Sequence, residues 1–166
     1  MSHLPAATQT YIFVGVAALR PRSNLLNIDK KRGWGVDSAF DVGLLGDSGV
    51  ELQGSDLSLD EALALAKKIY KWMPLCAVEE WVIMDAIVTE DERAKVAAAG
   101  CQPMFMFAHK VVDDEQQRFE PGHWVRSSMG TAFTDGFLFV TRNSVYVLLG
   151  PGHRKSASIQ AIFSIF

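Results

Sequence analysis

Phe137-Leu138-Phe139-Val140-Thr141-Arg142-Asn143-Ser144-Val145-Tyr146-Val147-Leu148-Leu149 holds two runs of aromatic and β-branched residues split by a short polar break. Such runs on either side of a turn read as a β-hairpin. With Arg142 and Asn143 as the loop residues, Val140 faces Val145 and Phe139 faces Tyr146. Both faces of the hairpin are then apolar, which places it centrally in a sheet.

The same texture extends outward from the hairpin. Met104 to Val112 reads as a strand closed by the polar turn Asp113 to Gln117. Phe119 begins a return strand, Pro121-Gly122 supplies turn chemistry, and His123 to Ser128 alternates as a further strand. On the far side, Ser158 to Phe166 sets Ile159, Ala161, Phe163 and Ile165 against Gln160, Ile162 and Ser164. That alternation suits a half-buried terminal strand, whose exposed edge offers pairing to a second copy and hence a homodimer.

Upstream, helices enter. Ser58 and Glu61 form a Ser-x-x-Glu capping box ahead of Leu59, Leu63, Leu65, Ala66, Ile69 and Tyr70, which predicts a helix from Leu59 to Trp72 stopped by Pro74. Glu80 to Val88 then alternates, with Trp81, Ile83 and Ile87 on one face and Val82, Met84, Ala86 and Val88 on the other, as in a strand buried on both sides. Thr89 and Glu92 make a second capping box, and Gly100 stands where a helix-terminating glycine belongs, so Glu90 to Ala99 is the second helix. The predicted order is α-β-α-β-β-β-β-β. Strands that follow one another directly imply hairpins, so the expected fold is α+β, a single domain with a mainly antiparallel sheet in the C-terminal half and two helices packed on one face or end.

The first fifty-odd residues differ. Gly33, Gly35, Gly43, Gly46, Gly49 and Gly54 punctuate short apolar stretches, which leaves no room for a long helix. Residues 1–56 are therefore read as a glycine-rich extension or irregular cover, and residues 57–166 as the core domain. Tyr11 to Leu19 is about half of a bilayer crossing, and no Lys or Arg precedes it to make a signal-peptide start, so it reads as a core strand.

At 166 residues the chain suits one domain, with 49% apolar and 21% charged residues close to the globular average. A net charge of −3 gives no global reason to seek nucleic acid or an anionic membrane. Cys76 and Cys101 are too few for a disulfide framework, and each sits among apolar or small residues as a buried free thiol would, which favours a reducing, cytoplasmic setting.

A short internal echo is the most suggestive local feature. Pro121-Gly122-His123-Trp124-Val125-Arg126-Ser127 is matched by Pro151-Gly152-His153-Arg154-Lys155-Ser156, each a Pro-Gly turn followed by His and a basic residue. Were both turns at one end of the sheet, His123, Trp124, Arg126, Arg142, His153, Arg154 and Lys155 would form a cationic rim. Such a rim suits an acidic partner surface, and its Trp and Arg content is that of an interface hot spot. The expected function is non-enzymatic binding of another protein through that rim. Nucleic acid bound by the same cations is the alternative, and a small hydrolase the third reading, with His109, His123 or His153 as base, Asp135 or Glu120 to orient it, and Ser127 or Ser128 as nucleophile. No nucleophile elbow, paired-cysteine motif or His pair at helical spacing supports the hydrolase, and no cofactor or metal is expected. Gly43 to Gly49 resembles a phosphate loop but lacks its Lys.

The run Phe119-Glu120-Pro121-Gly122-His123-Trp124-Val125-Arg126-Ser127-Ser128, continuing through Phe133-Thr134-Asp135-Gly136 to Thr141-Arg142-Asn143-Ser144-Val145-Tyr146-Val147-Leu148-Leu149-Gly150, resembles an uncharacterised bacterial family associated with pseudomonad genomes and their prophages. The resemblance covers roughly Leu57 to Phe166. It implies no catalytic residues. It implies a context in which small accessory proteins of mobile elements bind a host or phage macromolecule.

Overall fold

The computed structural model describes residues 49–165. The expectations for Tyr11–Leu19 and for the glycines before Gly49 lie outside those residues. The described chain runs β1 (Val50–Gln53), α1 (Leu59–Ile69), β2 (Leu75–Ile87), α2 (Glu90–Ala98), β3 (Met104–Asp114), β4 (Val125–Arg126), β5 (Gly130–Thr134), β6 (Leu138–Thr141), β7 (Val145–Leu148), β8 (Pro151–Ser158) and α3 (Ile159–Ser164). It is an α+β domain whose sheet curls into a half-barrel.

β2 organises the sheet. Its 13 residues begin at Leu75, immediately after Pro74, rather than at Glu80. One edge pairs with β3, antiparallel. The other edge pairs in parallel with β7 along Leu75–Val78 and then with β8 along Trp81–Ile87. β7 and β8 are nearly one strand, bent where Gly150 takes a left-handed φ of +62°. β2 breaks its own alternation near the same level, where Glu80 has φ +53°. The sheet is therefore mixed, its remaining pairings β1–β8, β3–β4, β5–β6 and β6–β7 all being antiparallel. The hairpin is in the expected register, Phe139 opposite Tyr146 and Val140 opposite Val145, and every residue of β6 and β7 is buried.

Apolar side chains form two layers. The inner one, inside the curl, gathers Trp81, Ile83, Met104, Met106, Leu138, Phe139, Val147 and Leu148. α1 covers it with Ala62 and Ala66, while Tyr70 reaches across to β5, its hydroxyl 3.4 Å from Thr134 Oγ1. The outer layer holds Val82, Met84, Ala86, Phe105 and Phe107 beneath Ile162 and Ile165. β2 thus buries both faces, as its alternation predicts. α2 stands at the end of the sheet with no buried residue, held by its Thr89–Glu92 capping box and by Gly100 at φ +70°.

Several local expectations change. In the expected terminal strand, Ile159–Ser164 is a helix: Ser158, the last residue of β8, accepts from Ala161 N through its Oγ at 3.1 Å and caps α3. Ile159, Ile162 and Ile165 recur at helical spacing toward the outer layer, so this segment presents no strand edge to a second copy. Pro121-Gly122 is a turn, with Gly122 at φ +84° and His123 N donating to Glu120 O, but Pro151-Gly152 opens strand β8. A Cβ on Gly152 would sit 2.3 Å from the Trp81 ring, so glycine is there for close packing and not for a turn. The expected strand His123–Ser128 is reduced to Val125–Arg126. Phe119 lies in a loop, because Asp114 draws back Arg118 (Nη2–Oδ1 2.6 Å) and the Arg118 and Phe119 amides. α1 stops at Ile69, three residues short of Trp72. Val50–Gln53 joins the sheet against β8, so regular structure begins ahead of Leu57.

Candidate binding surface

The structure splits the expected rim. Alternation along β8 sets His153 and Lys155 on the outer face beside Val82 and Met84, and turns Arg154 inward. Arg154 forms a fork with Asp85, Nε to Oδ2 at 2.7 Å and Nη2 to Oδ1 at 2.9 Å. Arg126, Phe107, Val82 and His153 lie in one row across β4, β3, β2 and β8. Arg126 and His153 thus share a face but stand three strand spacings apart, about 14 Å. Trp124 stacks on Phe107, with ring centroids 6.0 Å apart. His123 Nε2 lies 3.6 Å from Glu120 Oε2.

The guanidiniums of this set serve the fold. Arg126 Nη1 donates to the carbonyls of Ile162 and Ile165, 3.2 Å each, and its charge lies 5.0 Å above the Phe163 ring, which secures the C-terminal end of α3. Arg142 Nη2 donates to Ala99 O at 2.7 Å and does the same for α2. Among the hydrolase candidates, Ser127 Oγ is used by the backbone, accepting from Met106 N and donating to Ser128 O. His109 lies edge-on to Phe107, with centroids 4.9 Å apart. Burial and the nearby Asp114 carboxylate push the Cys76 thiol up to about 12, which removes it as a nucleophile near neutral pH.

A second surface, on α1, carries large apolar side chains in solvent. Ala62, Ala66, Leu59, Leu63 and Tyr70 face the core, while Leu65 and Ile69 stand outside at i and i+4 and Trp72 follows them in the turn after the helix. Their exposures are 37%, 49% and 95%. Lys68 and Lys71, both exposed, flank the stripe. Lys67 is turned away, 2.7 and 2.8 Å from the two Glu115 oxygens. That contact, with the Leu75 amide, holds the Glu115 carboxyl below the ordinary carboxylate range. The signal was present in the sequence: the residues from Leu59 to Trp72 carry more apolar positions than one helix face can bury.

The family of this chain carries no assigned activity. No curated protein and no solved structure matches it. Among the described residues no helix is long and apolar enough to cross a membrane, and no three His, Cys, Asp or Glu side chains converge as metal ligands. One family model does match, over residues 53–164, from the end of β1 through α3. The chain belongs to the family described as Domain of unknown function (DUF6957).

Proposed function

We propose that this protein is a non-enzymatic module that binds another protein, and that the outer face of α1 together with the turn that follows it is its contact. The observation that carries this reading is Trp72, 95% exposed at the end of the Leu65–Ile69 stripe. Large aromatic side chains supply most of the energy of protein interfaces, and a monomer gains nothing by leaving one in water. Lys68 and Lys71 beside the stripe favour a partner with an apolar groove and an acidic margin. The outer-face set of Trp124, Arg126, His153 and Lys155, with His123 in the adjoining turn, is proposed as a secondary contact, while Arg142 is tied to Ala99 O and Arg154 is turned to the other face beside Asp85. The mobile-element setting implied by the sequence resemblance fits an accessory role of this kind.

The test is photo-cross-linking from a benzoylphenylalanine placed at position 72, with position 91 on α2 as the exposed control, in lysate treated with nuclease. The expected result is one stoichiometric protein adduct from position 72 alone, competed by unlabelled chain and not by I69S/W72A. Equal adducts from both positions, or adducts indifferent to the double substitution, would refute the reading. Nuclease-sensitive adducts would transfer it to nucleic acid.

A further inference from the structure

An open cleft of about 470 Å³ lies between α2 and strands β2, β3 and β8, with Asp85, Arg93, Ala97, Pro103, Met104 and Arg154 in its lining. Its size falls in the range of small-molecule sites, roughly 300–1,000 Å³. Two features make it more than a surface irregularity. First, α2 buries no residue, so the helix stands off the sheet on its caps and its Arg93 and Ala97 wall a space that core side chains would ordinarily fill. Second, two guanidiniums from different elements enter that space. Arg93 is only loosely engaged, 3.7 Å from Glu90 and half exposed, and Arg154 commits Nε and Nη2 to Asp85, with no hydrogen bond from its Nη1 among the described residues.

We propose that this cleft binds a small organic carboxylate. Asp85 occupies the Arg154 fork, whereas Glu90 meets Arg93 only at 3.7 Å from a carboxylate 92% exposed, so an entering anion can take its place at that one cation, which suits a small anion better than a polyphosphate. Arg93 retains a planar fork that matches a carboxylate in two-point contact. Ala97, Pro103 and Met104 line the remaining wall for a short carbon chain, and Gln102 adds polar atoms to it. This site is separate from the outer face of α1, and neither proposal depends on the other.

The experiment is isothermal titration of the full chain with acetate, succinate and citrate, with inorganic phosphate and the neutral diamide of succinate as comparisons, and amide NMR to locate the effect. At least one carboxylate is expected to saturate with about millimolar affinity or better, shifting amides of residues 85–103 and 154. R93Q should weaken it about tenfold with an unchanged melting temperature, because Arg93 supports nothing buried. R154K, which keeps the charge beside Asp85 but loses the fork, should weaken it as well. No saturable binding by any of the three carboxylates, binding of phosphate alone, equal binding of the diamide, or unchanged affinity in R93Q would each overturn the proposal.

Discussion

Trp81 and Gly152 show what single residues settle in this fold. The indole is fully buried and donates to Leu149 O at 3.2 Å, and the backbone of β8 runs directly across its ring. Gly152→Ala should therefore cost about 3 kcal/mol, read as a lowered urea midpoint, since neither the indole nor the β8 backbone has room to yield. The two cysteines give a second residue-scale expectation. Cys76 is buried with its thiol held near 12, whereas Cys101 is half exposed, so native protein at pH about 8 should give one fast-reacting thiol with a disulfide reagent and a second only on unfolding. Fast reaction of both would mean that the inner core opens. At this scale the sequence is informative about burial and silent about purpose. Both cysteines read as buried thiols from their apolar or small neighbours, which holds for Cys76 and fails for Cys101, and Gly152 follows Pro151 and so mimics a turn until Trp81 is seen beneath it.

The elements are legible where their signals are local. Both capping boxes, the glycine after α2 and the β6–β7 register are set by residues a few positions apart, and each is found where the spacing predicts. α3 reads as a strand in the sequence because its six residues alternate as well as they spiral, and only Arg126, far away in the chain, reveals which carbonyls need a donor. Arg126→Ala should loosen α3 selectively. The amides of residues 162–165 would lose exchange protection while those of β2 and β3 keep theirs, whereas uniform loss would show α3 to be integral to the fold. The tie between α1 and the start of β2 runs through Glu115, whose carboxyl is stabilised in its charged form by Lys67. A depressed folded value contributes stability above the ordinary carboxylate pKa, about 4.3, and loses it as pH falls through the folded value below that. Both side chains are well exposed, so the contribution is about 0.5–1 kcal/mol. Glu115→Gln should show that deficit in urea unfolding near neutral pH and converge with the parent below about pH 3. A gap that persists in acid would assign the loss to packing.

At the scale of the whole molecule, the sheet order was beyond the reach of the sequence. β2 finds β7 and β8 in parallel across more than fifty residues of intervening chain, and no turn signal records such a pairing. The same limit explains the rim. The two Pro-Gly-His runs look alike, but the face each side chain takes depends on register within β4 and β8, and register divides Arg154 from His153 and Lys155. The outer stripe of α1, by contrast, was in reach, since a helix with apolar residues on two sides must leave one of them in solvent or give it to a partner. The central claim is that this stripe contributes to binding and not to folding. It is tested most directly by the unfolding free energy of I69S/W72A against the parent chain, measured with urea. The expected result is a difference within about 0.5 kcal/mol, as for other exposed substitutions. A loss above about 2 kcal/mol would show that Ile69 and Trp72 pack against the chain itself and would contradict the claim.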